Sequence, residues 1–400
     1  MFLNVAIFAG VLATAAILLS PRLSRLPLWR AVITPLASII GSGFLILGPL
    51  LDDAYGYLAP AVMAALCLAA FAFGWAVRYN IANISDDTDT RGHAENHLET
   101  ASSWALAFAY IVSVAYYLNL FGAFGVSLTP FDDPFYARVV TTAAFALILV
   151  LGWGHGFKAL EHLEYYSVAA KLAIIVGLLI GMAVYFWHRA AGGSLVVIEP
   201  RLHGWGAVTL AFGLIVTVQG FETSRYLGEE YDPPTRIRSM RLAQGVSTVI
   251  YMIYVVLIAY VFQRSELKMS ETAIVDMMQF IAPVLPALLV VAALTAQMSA
   301  AVADTSGTGG LFAELSGERI GPRVGYLIIV LAGVTLTWIA DVYEIIAYAS
   351  RAFALYYGLQ AAIALTTARR RKHPVLHAAG FLALALLAAA IVLFGQPAEG

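Results

Sequence analysis

The sequence predicts an all-α protein that crosses a membrane about twelve times and forms one integral domain over residues 1-400. Apolar residues make up 61% of the chain and charged residues only 12%, which is roughly half the charged share of a soluble domain. The apolar residues also fall into long runs, and a helix needs about 20 of them to cross a bilayer. We therefore expect a lipid bilayer around the chain, and no room for a separate soluble domain.

The apolar runs give the predicted spans in chain order. They cover residues 2-20, 30-51, 57-80, 102-127, 135-152, 164-187, 205-226, 241-263, 274-305, 323-340, 343-366 and 375-394. The run 274-305 is too long for one span, and Pro283 and Pro286 predict an oblique or kinked section at its start. The first run is not preceded by basic residues as a secretory signal would be, so we expect it to be retained.

Basic residues predict the orientation of the chain in the cell membrane. If the loop 21-29 is cytoplasmic, most of the 23 lysines and arginines lie on that side, as the positive-inside rule requires. The opposite side then receives only Arg138, Arg189, Arg201, Arg264 and Lys268. Both termini are expected to be external.

Two spans are interrupted by glycine at corresponding places. Gly41-Ser42-Gly43 interrupts the second span, and Gly220-Phe221-Glu222 interrupts the seventh, five spans later. Matching breaks of this kind indicate a transporter built from two inverted repeats. The alternative is that the glycines only allow close helix packing. We predict five-helix repeats at 30-187 and 205-366, flanked by the extra helices 2-20 and 375-394.

A break inside the membrane leaves backbone groups that need partners other than lipid. The N–H groups of Ser42, Gly43 and Phe44 would suit a carboxylate, because a helix N-terminus adds its positive dipole end. Carbonyl groups would suit an ammonium, and the candidates are Ile39, Ile40, Val218 and Gln219. The two sets together predict a zwitterionic ligand, with ordered water in a packing defect as the alternative.

Side chains around the breaks give further candidates. Tyr116, Tyr117 and Phe221 could close over a substrate, although packing alone explains aromatic residues equally well. Acids in the membrane interior are costly. Glu222, next to Gly220, could therefore cap exposed N–H groups or carry a proton. We also expect Arg225 to pair with Glu229, four residues later.

Three stretches carry a resemblance to a known family. They are IIGSGF from Ile39, GFETSRYLGEEYDPPTR from Gly220, and LTAQMSAAVADTSGTGGLFAEL from Leu294. These resemble the amino acid/polyamine/organocation superfamily, whose members share the leucine-transporter fold, and the second is most similar to cationic amino-acid transporters. The chain departs from the family at Arg225, where a small or hydroxyl residue is usual. It also has DDTDTRGHAENHLET where the family has a Pro-X-Gly-Gly-X-Tyr signature.

The resemblance implies a secondary carrier of an amino acid or related amine that works by alternating access. The segment VAAKLAII around Lys171 resembles the fifth core helix of sodium-independent members, in which a lysine takes the place of a sodium ion. Carried over, Lys171 would bridge the first core helix and the eighth, where the candidates are Thr295, Ser299 and Asp304. Transport coupled to protons or to exchange, without sodium, is then expected. A lysine that extends to the headgroups is the alternative.

Other functions are less well supported by the sequence. A channel or carrier for a small inorganic or organic ion remains the second hypothesis, although no selectivity-filter pattern is present. An intramembrane enzyme would need a nucleophile and base or a metal site within the spans. His93 and His97 lack a third ligand at a diagnostic spacing, so we expect neither metal nor cofactor. No basic stripe suggests nucleic acid.

Overall fold

The computed structural model describes residues 2–41, 43–84, 92–154, 158–228, 230–263 and 270–398, with the backbone alone for 158–164. The regular elements of these residues are all helical. They are α1 (Phe2–Leu18), α2 (Pro21–Ser24), α3 (Pro27–Ile39), α4 (Gly43–Tyr55), α5 (Ala59–Asn83), α6 (His93–Val126), α7 (Pro134–Gly154), α8 (Lys158–Ala191), α9 (Gly204–Gly213), α10 (Pro233–Ile258), α11 (Ala273–Ile281), α12 (Leu285–Leu315), α13 (Pro322–Ile339), α14 (Val342–Arg370) and α15 (Val375–Phe394). Short 3₁₀ turns occupy Gly56–Leu58, Ile215–Val218 and Phe221–Tyr226.

The predicted all-α, multi-pass fold is confirmed. Eight helical stretches of the described residues are long and apolar enough to cross a membrane. They are Gly43–Asn83, His93–Val126, Pro134–Gly154, Tyr165–Ala191, Pro233–Ile258, Leu285–Leu315, Pro322–Ile339 and Val375–Phe394. The other predicted spans correspond to α1, α14 and the two interrupted helices.

The overlong run 274-305 divides as its prolines predicted. The short helix α11 ends at Ile281, and α12 begins at Leu285 with Pro286 in its first turn. A proline is tolerated there because the first N–H groups of a helix have no partner within it. The span proper is longer than predicted, since α12 continues to Leu315.

Helices at matching positions of the two predicted repeats pack against each other. The pairs are α5 with α10, α6 with α12, and α7 with α13, while α3 and α4 contact the 3₁₀ turns that follow α9. The extra helices lie outside this set, with α1 against α8 and α15 against α14. This packing is what two repeats of five helices would give, and the division at 30-187 and 205-366 stays a prediction.

Local sequence explains how the helices begin. Pro27, Pro134, Pro233 and Pro322 each occupy the first position of a helix, where the fixed φ of proline favours the helical turn. Asp232 caps α10, because its carboxylate accepts the Thr235 N–H at 3.1 Å. Hydrogen bonds from the Thr235 side chain and from its N–H lower the pKa of Asp232 below its usual range.

Candidate functional site

The two predicted breaks lie directly against each other. After α3, Ile40 leaves the helical conformation, and α4 begins at Gly43. After α9, the chain forms the turn Ile215–Val218 and then passes through Gly220, whose φ is 115°. Both interruptions therefore exist as the glycine pattern predicted.

The glycines of the breaks are also close-packing positions. A Cβ added at Gly43 would lie 2.9 Å from the Thr217 Cα, and one at Gly220 would lie 2.6 Å from the Ser38 carbonyl carbon. A side chain at either position would force the two breaks apart. Gly41 has more space, since an added Cβ would lie 3.1 Å from the Ser38 carbonyl oxygen and 4.0 Å from the Tyr117 ring. Gly43 and Gly220 therefore allow close packing, as the alternative predicted, and they also lie where the two helices unwind.

Side chains from other helices bind the backbone groups that the breaks release. The Tyr251 hydroxyl of α10 lies 2.8 Å from the Ile39 carbonyl oxygen and 2.7 Å from that of Thr217. The Tyr251 hydroxyl thus bridges the two broken helices. The Ile39 carbonyl is therefore bound by protein here and is not open to an ammonium. Tyr251 was not among the predicted site residues. A hydroxyl in an apolar span was the only signal for it, and many spans contain one.

A second hydroxyl and a carboxylate complete the break after α9. Ser350 of α14 donates to the Gly213 carbonyl at 2.6 Å and accepts the Val216 N–H at 3.1 Å. The Glu222 carboxylate accepts the Gly220 N–H at 3.0 Å. Glu222 therefore has the capping geometry that was one of its two predicted roles.

The predicted lining residues are buried between the two breaks and α6. Phe44, Tyr116, Tyr117 and Phe221 are each at most 2% exposed. Phe44 packs 4.2 Å from the Tyr254 ring, and Phe221 stacks on Tyr357 at 5.0 Å.

Other predicted binding residues take the following places. Ile40 and Val218 are buried, and the Gln219 amide donates to the Tyr117 hydroxyl at 3.4 Å. Ser42 lies outside the described residues. A cavity of about 10 Å³ adjoins Gly41 and Phe44, and another of about 10 Å³ adjoins Ile39 and Val218. Each has room for about one water molecule, so the breaks are tightly closed in this conformation.

Lys171 of α8 lies at the end of α3. It is 5% exposed, and its Nζ donates to the Ala37 carbonyl at 2.8 Å. Lys171 thus contacts the first core helix at Ala37, one turn before Gly41. Lys171 shares its small cavity with Gln297 of α12, a residue that the sequence analysis did not select.

The α12 residues predicted to accompany Lys171 have different surroundings. Asp304 is buried and accepts a hydrogen bond from Ser113 of α6. Thr295 is exposed, with its hydroxyl on the Val291 carbonyl at 2.7 Å. Ser299 is half-buried.

Comparisons with known proteins identify the family. A family profile described as APC superfamily transporter matches residues 21–395. The chain belongs to the APC superfamily. It is also similar to an uncharacterized protein of Aquifex aeolicus (strain VF5), with 40% identity over 404 residues that cover 98% of this chain and 97% of the relative.

An ion pair joins the turn after the second break to α6 on the side that we predict to be cytoplasmic. Arg225 contacts Glu99 of α6 and the Gln360 side chain of α14. Gln360 in turn donates to Ser102 at 2.8 Å and accepts from Asn80 of α5 at 2.9 Å. We call Arg225, Glu99 and Gln360 the inner latch. It joins the break after α9 to α5, α6 and α14.

The latch explains the departure of Arg225 from the family pattern. The partner predicted from local spacing, Glu229, lies outside the described residues. Among the described residues, the carboxylate that Arg225 contacts is that of Glu99. Arg236, the arginine of the family-like turn, donates to the Arg225 carbonyl at 2.8 Å. The two arginines thus stabilise one segment.

The transporter has a larger cavity on the opposite side. Its volume is about 570 Å³, and it is lined in part by Asp132, Asp133, Arg138, Glu271, Asp276 and Asp341. Burial raises the pKa of Glu271, and the nearby charges of Asp341 and Asp132 raise it further. Carboxylates that outnumber basic groups at such an entrance would favour cations over anions.

The C-terminal residues link two helices on this side of the transporter. Arg351 of α14 donates its Nε–H to the Gly395 carbonyl at 2.9 Å, and the Gln396 N–H donates to the Thr209 carbonyl of α9 at 2.9 Å. Arg351 thereby gains the partner that its depth in the span required. The tail ties α9 to α14 beside the second break.

Proposed function

We propose that this member of the superfamily is a secondary active transporter of an amino acid or related amine that works by alternating access without sodium. The observation that carries the proposal is the Lys171 ammonium, which lies 2.8 Å from the Ala37 carbonyl oxygen at the end of α3. A fixed positive charge at the carbonyl end of a broken helix does what a bound cation would do there. The site then needs no sodium ion.

The two closures support alternating access. The inner latch joins the moving break to α6 and α14, while a cavity of about 570 Å³ opens on the other side. Substrate would enter through that cavity, reach the breaks when Gly41 and Phe44 separate from their neighbours, and leave after the latch opens. The carboxylates that line this cavity favour a ligand with an ammonium group.

Uptake into proteoliposomes tests this function. Purified protein is reconstituted, and uptake of a panel of radiolabelled amino acids and amines is compared under an imposed pH gradient, an imposed sodium gradient, and internal unlabelled substrate. We expect saturable uptake that is independent of sodium. Uptake that requires sodium would contradict the role of Lys171, and a non-saturable ion flux would indicate a channel.

Two lysine variants refine this test. Lys171→Ala should lose uptake, because it leaves the Ala37 carbonyl without its donor. Lys372→Ala, at an exposed position after α14, is the matched control and should retain wild-type uptake. Full activity of Lys171→Ala would exclude the proposed role of its ammonium.

The orientation is part of the proposal. In a Cys67→Ala background, a cysteine at Ser194 should react with an impermeant thiol reagent in intact cells, whereas one at Arg369 should react only after permeabilisation. Both positions are exposed. The reverse pattern would place both termini in the cytoplasm.

A further inference from the structure

Two buried acids lie near the second break. Glu222 is fully buried in the turn after Gly220, and Asp304 of α12 is 7% exposed. Their side chains lie close enough to interact electrostatically. Glu222 accepts a hydrogen bond from the Tyr357 hydroxyl at 2.7 Å, and Asp304 accepts one from the Ser113 hydroxyl. The pair thus spans the break, α6, α12 and α14.

Tyrosines form most of the polar surroundings of this pair. The titratable and charged groups that face it are Tyr110 and Tyr117 from α6, Tyr356 and Tyr357 from α14, and Arg225 and Tyr226 from the turn after the break. Tyr110 and Tyr117 interact with both acids. The positive charge of Arg225 is already paired with Glu99. Two ionised carboxylates here would repel each other and would each lack a cation of their own.

Two acceptor atoms near the second break lack a donor. Glu222 Oε1 and Gln219 Oε1 are buried without a hydrogen-bond donor among the residues that the structure describes. An acceptor left in this way costs about 1–3 kcal/mol. A proton bound to the pair would remove one negative charge and provide one more donor. A proton thus reduces the repulsion between the two carboxylates and also gives a donor to one of the acceptors.

We propose that Glu222 and Asp304 form the binding site for a transported proton. The proposal deepens the function given above and depends on it for the direction of transport. Proton binding converts one carboxylate to a carboxylic acid and breaks no other bond. Release returns the proton to water on the other side of the membrane.

The placement of the pair couples this proton to the conformational change. Glu222 belongs to the break that carries Arg225 and therefore the inner latch, whereas Asp304 and Ser113 belong to the packed helices α12 and α6. Opening the latch separates Arg225 from Glu99 and gives water a route to Glu222. The proton can then leave on the cytoplasmic side only when the latch is open.

Infrared spectroscopy of the purified protein tests the site without any substrate. We expect a carbonyl band of protonated carboxyl groups at neutral pH that disappears as the pH is raised. Glu222→Gln and Asp304→Asn should each weaken the pH-sensitive band, and the double variant should remove it. Asp232→Asn is the control, because the lowered pKa of Asp232 keeps it ionised and out of this band. The absence of the band, or an unchanged band in both single variants, would overturn the proposal.

A positioning variant keeps the test decisive if an acid variant does not fold. Ser113→Ala retains both carboxyl groups but removes the donor to Asp304. Since that hydrogen bond favours the ionised form, the band should be stronger at a given pH in Ser113→Ala. An unchanged or weaker band would contradict the proposed site.

A transport measurement separates this proposal from the proposed function. Proteoliposomes are loaded with a pH-sensitive dye, and the same panel of amino acids and amines is added outside. Wild type should acidify or alkalinise the lumen during uptake, whereas Asp304→Asn should not. Uptake without proton movement in wild type would overturn the proton site alone. No uptake by wild type would overturn the proposed function, while the infrared result would still decide the proton site.

Discussion

The inner latch gives a prediction whose size follows from the structure. Arg225→Ala removes the guanidinium that holds Glu99 of α6 and Gln360 of α14. In the closed conformation this leaves Glu99 without its cation, whereas in the inward-open conformation both groups would already be in water. The substitution therefore destabilises the closed conformation selectively.

The magnitude comes from the burial of the pair. The Arg225 and Glu99 side chains are 11% and 20% exposed, so the pair is not fully desolvated. A hydrogen bond between charged groups then contributes about 1.5–3 kcal/mol, less than the roughly 3–5 kcal/mol of a fully buried pair. Since about 1.4 kcal/mol corresponds to a tenfold change in an equilibrium constant, the ratio of open to closed transporter should rise about 10-fold to 150-fold.

Cysteine accessibility measures this ratio. Ser224 lies between Glu222 and Arg225 and is fully buried, so Ser224→Cys in a Cys67→Ala background reacts only when the inner side opens. Its rate of reaction with a maleimide in detergent should rise by the same factor in Arg225→Ala.

Two further variants control the result. Glu99→Gln lies on a different helix and should raise the rate in the same way, which excludes local unwinding around Ser224 as the cause. Arg238→Ala removes an exposed arginine on the same side and should leave the rate unchanged. A rate that does not change in Arg225→Ala and Glu99→Gln would refute the latch.

Three further predictions concern the breaks and the tail. Tyr251→Phe removes the hydroxyl between two carbonyl groups and should lower stability by about 1–3 kcal/mol, seen as a lower Tm. Tyr254→Phe, which loses one hydrogen bond of 3.1 Å, should have a smaller effect, and equal shifts would contradict the bridging role. Gly220→Ala should abolish a monodisperse size-exclusion peak, because its φ of 115° and the contact with Ser38 exclude a Cβ, whereas Gly41→Ala should remain folded. A monodisperse peak for Gly220→Ala would contradict the close contact between the two breaks. Arg351→Ala should release the C-terminal tail, so that carboxypeptidase digestion becomes faster than in wild type, and equal digestion would contradict the contact with Gly395.

Several features of the fold and site could be predicted from local sequence. Hydropathy locates the spans because a helix in lipid must be apolar along about 20 residues. Glycine pairs locate the breaks, since only glycine permits the φ of Gly220 and the approach at Gly43. The prolines before α12 separate it from α11, as expected of residues that cannot continue a helix.

The partners of the broken helices could not be predicted in this way. Tyr251, Ser350 and Tyr357 reach the breaks from distant parts of the chain, and Arg225 binds Glu99, which lies on another helix. Each contact depends on the rotation of one helix about its axis relative to another. The apolar pattern carries little information on that rotation in a membrane protein, because lipid and protein interior are equally apolar.

The helices themselves show this difference. In the apolar stretch of α6 83% of the residues are buried inside the protein, against 22% in that of α15, although both stretches are apolar enough to cross a membrane. The sequence by itself determined that the chain spans the membrane, where two helices break, and which acids and lysine lie at membrane depth. Only the tertiary structure decided that Lys171 meets Ala37, that Tyr357 binds Glu222, and that Tyr251 joins the two breaks, because side-chain pairing across helices is a property of packing and not of local hydropathy.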